Sequence, residues 1–384
     1  MTQSISITTK QQVSKYTITI ESGTLSYIAD FVRERSPQSS KTVIVSNKKV
    51  FGIYGQTVLK GLQRAGRHVT VHLIGDGERY KSLKSLESTL SFFSRSNLSR
   101  TDLVVALGGG VVGDLAGFAA SVFLRGIPFV QVPTTLLSMI DSSVGGKTGI
   151  NTVFGKNLVG AFYQPKGVLV DVDVLKTLPK RELTAGFCEA IKQGAVSGAK
   201  LFNTTTRIID NFGGASFSKS LSSPELLAEF EKFLAAQISF KASVVEADER
   251  ESAAKTDAKS RKILNFGHTF GHALEKVTKY RYFKHGEAVG WGIIFAAELS
   301  KKLELISPDD VKLLDGVVHR AGALPPIGHI DSSEVFEAFK FDKKTIGNSL
   351  QWILLKGIGS PVIVSQENIP NPTLKAVIKN ILQS

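Results

Sequence analysis

The chain has 384 residues, which is enough for two or three domains or one large α/β unit. Its 42% hydrophobic content is sufficient for a large hydrophobic core. Its net charge of +13 favours anionic partners such as phosphorylated or carboxylated metabolites. Lysine and arginine are scattered among acidic residues rather than gathered in long runs, so we predict no nucleic-acid partner.

Cysteine content and hydropathy indicate the cellular compartment in which the protein is expected. Cys188 is the only cysteine, so one chain cannot form a disulfide or a cysteine-based zinc site. The first residues contain no apolar signal core, and no run of about 18 apolar residues occurs anywhere. These features predict a soluble cytoplasmic protein with no membrane span.

The first half of the chain alternates strand and helix patterns. Residues 11–21 alternate and are rich in β-branched residues, which predicts a strand. A helical spacing covers Gly55–Ala65. Short apolar runs, typical of buried parallel strands, lie at residues 41–45, 69–74, 102–107, 129–132 and 168–172. We therefore predict an α/β dinucleotide-binding domain with a mostly parallel sheet over residues 1–174.

The pattern becomes mainly helical from about Leu175. Residues 213–216 and 252–260 are predicted loops, and residues 350–355 are a predicted late strand. Periodicity predicts helices at residues 180–200, 224–248, 266–278, 286–304 and 307–321, and from about 372 onward. We therefore predict a mainly α-helical metal- and substrate-binding domain over residues 175–384.

Three of the seven histidines lie close together in the sequence. His268 and His272 are four residues apart, so they share one face of a helix, and His285 follows shortly after. Neutral imidazole is the commonest metal ligand in proteins. The spacing indicates a metal site, and a packed or solvated histidine pair is the alternative.

A glycine-rich turn follows a predicted strand at Gly108–Gly113. Glycines there let the backbone approach a pyrophosphate, and the helix N-terminus that follows favours the anion. The acidic residue expected about 20 positions later is absent. We predict dinucleotide binding by a different arrangement, with Asp114 suited to a ribose or amide contact. A plain strand-to-helix turn is the alternative.

Polar and basic residues beyond the next strand form a candidate anion site. Gly145–Thr148 resembles the end of a P-loop, but the glycine required at position 141 is Asp141, so we reject an NTPase. Lys147 and Lys156–Asn157 among glycines suit an anion, and Thr134–Thr135 follow a strand end, where α/β proteins bind ligands. A solvated loop is the alternative.

Other charged residues carry little information alone. Glu189 and Lys192 are three residues apart on a predicted helix, which by itself indicates an ordinary surface ion pair. Lys241, Arg261 and Lys343 each indicate no more than surface charge.

Taken together, these motifs resemble the 3-dehydroquinate synthase family over nearly the whole chain. Several linked motifs in the same order are more specific than any one of them. The family shares its fold with iron-dependent alcohol dehydrogenases and glycerol dehydrogenase, so the fold alone does not define the function. The matching segments are Asp76–Ser82, Leu107–Asp114, Gln131–Leu137, Asp141–Thr148, Gly155–Asn157, Leu178–Glu182, Glu189–Lys192, Leu264–Glu275, His285–Glu287 and Asp342–Lys344.

The resemblance implies NAD, a divalent metal that is usually zinc with cobalt possible, and an active site between the two domains. Three implied metal ligands, Glu189, His268 and His285, leave an open coordination position. Positions matching cofactor-binding residues are Asn47, Glu78, Lys81, Gly109, Gly110, Asp114, Thr134, Thr135, Asp141, Lys156 and Thr177. Positions matching substrate contacts are Lys147, Asn157, Lys192, Lys241, Arg261, Asn265, His272 and Lys343. Arg125 matches an arginine that the family places in the neighbouring subunit's site, so a homodimer is implied.

The implied reaction converts 3-deoxy-D-arabino-heptulosonate 7-phosphate into 3-dehydroquinate and phosphate in the shikimate pathway. It uses transient oxidation by NAD, phosphate elimination, re-reduction, ring opening and an intramolecular aldol closure. The alternatives are a cyclase of non-carboxylated sugar phosphates and an NAD-dependent polyol dehydrogenase. The residue types at Arg261, Asn265, His272 and Lys343 suit the carboxylated substrate, and the sequence departs from the family in the longer loop between Asp248–Glu251 and Arg261.

Overall fold

The first half of the chain forms a six-stranded sheet and a separate hairpin. The computed structural model describes residues 14–212, 217–252, 254–345 and 350–383, without the side chains of residues 340–345. The strands are β1 (Thr17–Glu21), β2 (Lys41–Asn47), β3 (His68–Ile74), β4 (Leu103–Gly108), β5 (Phe129–Pro133), β6 (Lys147–Thr152), β7 (Gly155–Phe162) and β8 (Gly167–Asp171). The sheet order is β1-β8-β5-β4-β2-β3 and every pair is parallel, which confirms the predicted parallel sheet.

Helices cover both faces of this sheet. They are α1 (Ile28–Arg35), α2 (Lys48–Val50), α3 (Gln56–Arg64), α4 (Leu83–Arg95) and α5 (Gly110–Val122). Successive side chains of β2 point to opposite faces, so Ile44 joins one core while Val43 and Val45 join another. The second core contains Leu86 of α4 and Leu115 of α5. Burial on both faces explains why these strands have continuous apolar sequences.

Strands β6 and β7 form an antiparallel hairpin outside the main sheet. The sequence analysis does not predict this hairpin, and Lys147 lies on β6 while Lys156 and Asn157 lie on β7. Glycine allows the two strands to approach, because a Cβ at Gly160 would lie 2.1 Å from the carbonyl oxygen of Thr148. Lys147, Lys156 and Asn157 are therefore held on paired strands, and the alternative of a loop is wrong for these three residues.

The second half is mainly helical, as predicted. Its elements are α6 (Lys180–Ser197), α7 (Ala199–Phe212), α8 (Phe217–Ser220), α9 (Pro224–Ala247), α10 (His268–Val277), α11 (His285–Lys302), α12 (Pro308–Ala321), α13 (Ser332–Thr345), β9 (Gln351–Leu355), β10 (Pro361–Ser365) and α14 (Asn371–Gln383). The helices predicted from periodicity are confirmed to within three residues at each end. Strand β10, which pairs antiparallel with β9, is not predicted.

Some predicted segments differ from the structure or lie outside its described part. The first strand covers Thr17–Glu21, and residues 11–13 of the predicted strand lie outside the described residues. The predicted loop at residues 213–216 also lies outside them. The described residues of the segment 252–260 contain no helix or strand, which agrees with the predicted loop.

One continuous core joins the two halves. Leu136 and Met139, which follow β5, belong to the same cluster of buried residues as Phe187 and Ile191 of α6. The last strand of the sheet ends at Asp171 and the first long helix begins at Lys180. The carboxyl ends of the parallel strands therefore face the helices of the second half. None of the helices in the described ranges is both long enough and apolar enough to cross a bilayer.

Candidate active site

A cavity of about 580 Å³ lies between the sheet and the helices. It brings together most of the residues that the sequence predicts for cofactor and substrate. The predicted residues that line it are Asn47, Glu78, Lys81, Gly109, Gly110, Asp114, Thr134, Thr135, Asp141, Lys147, Lys156, Asn157, Thr177, Lys241, Arg261, His272 and His285. Residues far apart in the sequence thus share one cavity at the carboxyl edge of the sheet, where α/β proteins bind ligands.

The glycine turn after β4 lies close to the segment that follows β5, with no room for larger side chains at the start of α5. A Cβ at Gly109 would lie 3.2 Å from Thr135 Cγ2, and one at Gly110 would lie 3.0 Å from Ser142 Oγ. No side chain caps the N-terminus of α5. Among the described residues, the buried hydroxyls of Thr134 and Ser142 have no hydrogen-bond partner. Uncapped amides and unpaired hydroxyls around a glycine turn fit the phosphate groups of a dinucleotide.

A network of charged residues surrounds this turn. Lys81 Nζ lies 2.5 Å from Asp114 Oδ2 and 2.5 Å from Asn157 Oδ1. Burial raises the pKa of Asp114, and the charge of Lys81 opposes that shift. Glu78 accepts a hydrogen bond of 2.8 Å from Asn151 Nδ2 and lies 3.7 Å from Lys156 Nζ. The network connects α5 to the β6–β7 hairpin, so the hairpin forms one wall of the cavity.

Two predicted cofactor residues also have local structural roles. Asn47 caps the helix that follows β2, because its Oδ1 accepts a hydrogen bond of 2.8 Å from the amide of Val50. Its Nδ2 donates to Asp76 Oδ1 at 3.0 Å. Thr177 hydrogen-bonds to the hydroxyl of Tyr54. Both side chains line the cavity while their polar atoms are engaged within the protein.

Glycines allow the helices that carry the histidines to approach closely. Gly267 precedes α10 with φ of 77°, and a Cβ there would lie 2.9 Å from the backbone nitrogen of Ile293 on α11. A Cβ at Gly286 would lie 1.9 Å from the carbonyl oxygen of Ala185 on α6. Larger residues at either position would push the helices apart. The close approach brings side chains of α6, α10 and α11 to one point.

That point holds a cluster of one carboxylate and three imidazoles. Ring nitrogens of His268, His272 and His285 all lie within 4.8 Å of one another. Glu189 Oε1 lies 3.8 Å from His268 Nε2 and 3.5 Å from His285 Nε2. Ligand atoms in a tetrahedral zinc site are about 3.3 Å apart, given zinc–ligand distances of about 2.0 Å. The cluster therefore has the dimensions of a metal site, with Glu189, His268 and His285 all able to contribute.

The carboxylate of Glu189 supports this interpretation. Its side chain is 0% exposed, and among the described residues Oε1 has no hydrogen-bond partner. Its Oε2 lies 2.5 Å from Lys192 Nζ, which is 2% exposed. A buried carboxylate oxygen without a donor is costly unless a cation binds it. The Glu189–Lys192 pair is therefore a buried pair, and the interpretation as a surface ion pair is wrong.

Neighbouring acceptors orient two of the imidazoles. His268 Nδ1 lies 3.3 Å from the carbonyl oxygen of Phe266, and His285 Nδ1 lies 3.2 Å from Glu275 Oε2. Because these oxygens can only accept, they favour a proton on Nδ1, and a metal ion in the cluster would then be bound through Nε2 of each ring. Burial and the charge of Lys192 hold the pKa of His268 well below its usual value. Burial lowers the pKa of His285, but Glu275 and Glu189 outweigh it and the net shift is upward.

His272 is the third imidazole and it lines the cavity. Its ring centroid lies 5.3 Å from that of His268 and 5.7 Å from that of His285. Burial lowers the pKa of His272 to about 4, and the nearby Glu275 carboxylate offsets only part of this shift. The ring is therefore neutral near pH 7 and can accept or donate a hydrogen bond.

Asp141 joins two of the predicted substrate lysines. Its Oδ1 lies 2.8 Å from Lys241 Nζ and 3.7 Å from Lys192 Nζ. Burial lowers the pKa of Lys241 to about 8, although Asp141 opposes the shift. Burial also lowers the pKa of Lys192, but Glu189 and Asp141 outweigh it and the net shift is upward. The sequence assigns Asp141 to the cofactor, and in the structure it also neutralises the substrate lysines.

The loop before Arg261, which is longer than in the family, has both ends hydrogen-bonded to the carboxylate of Asp248. Asp248 Oδ1 accepts a hydrogen bond of 2.8 Å from the amide of Ser252, and Oδ2 accepts one of 2.9 Å from the amide of Arg261. Both ends of the loop are therefore tied together at the end of α9. The Arg261 guanidinium donates to the carbonyl oxygens of Glu249 at 2.6 Å and Gly145 at 3.1 Å and lines the cavity. Insertion of the longer loop thus leaves this arginine in the site.

Two acidic residues that the sequence analysis did not select take part in the site. Glu251 contacts Lys147 and accepts a hydrogen bond of 3.1 Å from Asn265 Nδ2. Glu275 contacts His285 and Lys156. Glu275 ends a segment that resembles the family, and the position of both residues beside basic residues becomes visible only in the fold.

Five predicted residues of the described part do not line the cavity, namely Arg125, Glu189, Lys192, Asn265 and His268. Arg125 lies on the short helix Phe123–Arg125 after α5 and is not among the lining residues. It has a left-handed backbone with φ of 67°. Lys343 lies on α13, but its side chain is outside the described residues. Lys192, Glu189 and His268 lie just behind the cavity wall, in contact with one another through the cluster.

Comparison with known proteins identifies the family. The model described as 3-dehydroquinate synthase N-terminal matches residues 71–185, and the model described as 3-dehydroquinate synthase C-terminal matches residues 186–345. A 3-dehydroquinate synthase of Picosynechococcus sp. is 42% identical over 92% of this chain and 93% of that protein. The chain belongs to the 3-dehydroquinate synthase family. A 3-dehydroquinate synthase of Rippkaea orientalis is 38% identical over 98% of each chain.

A solved structure has the same architecture. The crystal structure of 2-deoxy-scyllo-inosose synthase with carbaglucose-6-phosphate, NAD+ and Co2+ matches with a TM-score of 0.79 and 26% identity, covering 94% of this chain and 96% of that chain. The predicted fold class is thereby confirmed. The predicted family and its enzyme class, a carbon–oxygen lyase that eliminates phosphate, are confirmed by the 3-dehydroquinate synthase relatives.

Proposed function

We propose that this cavity converts 3-deoxy-D-arabino-heptulosonate 7-phosphate into 3-dehydroquinate and phosphate with the aid of NAD and a divalent metal, most often zinc. The observation that carries the proposal is the buried cluster of Glu189 and the histidines, which borders the same cavity as the glycine turn and the basic residues. An NAD-dependent dehydrogenase would need only the metal cluster and the glycine turn. The basic residues suit a substrate that carries both a carboxylate and a phosphate.

Glu189, His268 and His285 are the proposed metal ligands. Both histidines present Nε2 to the unpaired Oε1 of Glu189. Three protein ligands leave room for substrate oxygens, which is the pattern of a catalytic zinc site. His272 is close enough to bind the same ion, and it is assigned to the substrate because the family resemblance implies that role. When bound, NAD supplies reversible hydride transfer and the metal supplies stabilisation of negative charge on the substrate oxygens.

The remaining residues bind and orient the substrate. Lys192 stays protonated because its pKa is raised, so it can stabilise negative charge beside Glu189. Neutral His272 can accept a hydrogen bond from a substrate hydroxyl and so orient it. Lys147, Lys241 and Arg261, with Asn157, Asn265 and Lys343, are the proposed anchors for the carboxylate and the phosphate. Anchors at both ends hold a flexible sugar in a reactive geometry, and the departing phosphate can itself take up the proton lost in elimination.

The decisive assay compares two sugar phosphates. The purified protein with NAD and zinc is expected to release inorganic phosphate from the heptulosonate phosphate and to form 3-dehydroquinate. This substrate is expected to react because Arg261 and the neighbouring basic residues bind its carboxylate. Phosphate release and product formation are measured side by side with sedoheptulose 7-phosphate, which lacks the carboxylate. Turnover of sedoheptulose 7-phosphate alone would instead indicate a different sugar phosphate cyclase.

We further propose a homodimer that covers the tip of the β6–β7 hairpin. Val153 is 94% exposed and Phe154 is 88% exposed, and Leu124 is also exposed. Exposed apolar side chains of this kind mark interaction surfaces. Tyr163 lies at the other end of the hairpin, where its hydroxyl donates to the carbonyl oxygen of Ile127 at 2.8 Å, close in the chain to Arg125. The family resemblance places Arg125 in the neighbouring subunit's site, which is the second reason for proposing a dimer.

Sedimentation velocity tests the dimer. The wild-type protein is expected to sediment with the mass of two chains, and the double variant Val153→Asp/Phe154→Asp with the mass of one. Aspartates at the tip would have to be buried without partners in a dimer. Leu313→Asp changes an exposed leucine on α12 and is expected to leave the mass unchanged. A wild-type mass of one chain would rule out the dimer.

Two further assignments rest on the sequence. We propose that the protein acts in the cytoplasm, because its single cysteine fits a reducing compartment and its family is biosynthetic.

We also propose a domain boundary between residues 174 and 175, in the segment between the sheet and α6.

A further inference from the structure

Glu275 lies between the metal cluster and the hairpin. It follows His268 by seven residues on α10, so both side chains lie on the same face of the helix. Its side chain is only 3% exposed. A buried carboxylate needs partners for both oxygens, and the residues that satisfy Glu275 come from two different parts of the fold.

One oxygen of Glu275 orients a proposed metal ligand. Oε2 lies 3.2 Å from His285 Nδ1. Because a carboxylate accepts hydrogen bonds, it favours the tautomer with the proton on Nδ1. The Nε2 lone pair then faces the cluster, where it lies 3.5 Å from Glu189 Oε1. Carboxylates that hold a ligating histidine in this way raise metal affinity.

The other oxygen of Glu275 is held by the hairpin. Oε1 accepts a hydrogen bond of 2.8 Å from Lys156 Nζ on β7. The same ammonium lies 3.7 Å from Glu78 Oε1 and 4.7 Å from the centroid of the Tyr280 ring. Lys156 is thus fixed by residues from both halves of the chain. Its position determines where the Glu275 carboxylate lies relative to His285.

We infer that Glu275 is a positioning residue that couples metal affinity to Lys156: it fixes the tautomer and orientation of His285 while Lys156 anchors its second oxygen. The inference rests on the proposed metal site. It gives Glu275, which also lines the cavity, a role that acts through His285. It also predicts that a change on the hairpin alters metal binding through one carboxylate.

Metal titration of the purified chain tests this coupling. Zinc affinity is measured by competition with a chromophoric chelator, and the visible spectrum of bound Co2+ reports the coordination geometry. Glu275→Gln is expected to weaken zinc binding about 10- to 100-fold, the usual effect of removing such a partner. A glutamine cannot accept from His285 and from Lys156 at the same time, since one of its ends is a donor.

Lys156→Met is the second variant. It leaves Glu275 in contact with His285 but removes the anchor, so zinc binding is expected to weaken about fivefold. In the Glu275→Gln background the same change is expected to have no further effect, because it acts through Glu275. Glu298→Gln removes an ion pair with Lys301 at 2.6 Å on α11 and serves as the matched control, with unchanged zinc affinity.

The outcomes separate this inference from the proposed function. Failure of the wild-type chain to bind zinc would overturn the metal site itself. Zinc binding by the wild type with Glu275→Gln within twofold of it would overturn the inference alone, as would additive effects of the two variants. If Glu275→Gln does not fold, unchanged zinc affinity in Lys156→Met overturns the coupling, and a weaker affinity with an altered Co2+ spectrum supports it.

Discussion

Replacement of His268 by alanine is expected to abolish metal binding and turnover together. His268 Nε2 lies 3.8 Å from Glu189 Oε1, and its Nδ1 is engaged by the carbonyl oxygen of Phe266, so Nε2 is directed at the cluster. Loss of a residue that only supports a ligand weakens a metal site about 10- to 100-fold, so loss of a ligand should exceed 100-fold. Metal content after dialysis and phosphate release from the heptulosonate phosphate measure the two effects.

Replacement of His272 by alanine is expected to leave the metal in place and to lower turnover about 100-fold, because a hydrogen bond that orients the substrate is lost. His272 lines the cavity, and its pKa of about 4 keeps the ring neutral near pH 7. The pair of variants is informative because all three histidines are close enough to bind one ion. Loss of the metal from both variants would contradict the assignment of His272 to the substrate and make it a ligand.

Replacement of Asp141 by asparagine is expected to destabilise the protein by about 3 kcal/mol, because removal of one partner leaves a buried charge uncompensated. The carboxylate lies 2.8 Å from Lys241 and 3.7 Å from Lys192, and both lysine side chains are almost completely buried. Its loss would also push the pKa of Lys241 below about 8, because Asp141 is the group that opposes the effect of burial. Urea unfolding of the metal-free protein measures the change in free energy.

Two further variants check the cause of that destabilisation. Asp173→Asn removes an ion pair with Lys176 in which both side chains are about one-third exposed, and its effect is expected to stay within about 0.5 kcal/mol. Adding Lys241→Met to Asp141→Asn is expected to recover part of the loss, because the uncompensated ammonium is gone. A loss below about 1 kcal/mol for Asp141→Asn would mean that the lysines do not depend on this carboxylate.

Local sequence patterns predict most of the strands and about half of the helices in the described residues, and they miss α1, α4, α7 and α13. Continuous apolar runs such as Val43–Val45 reflect burial on both faces of a parallel sheet, and the periodicity of α9 and α11 reflects packing of helices against the core. The β6–β7 hairpin is missed because Gly149, Gly155 and Gly160 interrupt the alternation that identifies a strand. The glycines are needed there because the two backbones approach closely.

The sequence predicts site residues where they lie in motifs that resemble the 3-dehydroquinate synthase family. The four-residue spacing of His268 and His272 places both on one face of α10 without knowledge of the fold. The same spacing does not distinguish a ligand from a substrate contact, and the assignment of Glu189 and His285 depends on the resemblance. Asn47 illustrates the limit, because its helix-capping bond to Val50 and its bond to Asp76 are not visible from its position after a strand.

By itself, the sequence determined the family, the two-part architecture and most of the residues around the cavity, because each motif is local and carries its own signal. Only the tertiary structure decided how these residues are paired. Glu189 meets Lys192 as a buried pair, Asp141 joins two lysines, and Glu275 connects His285 to Lys156. Such pairings depend on the close approach of α6, α10 and α11 and on the hairpin, and contacts between distant segments leave no periodic trace in the chain.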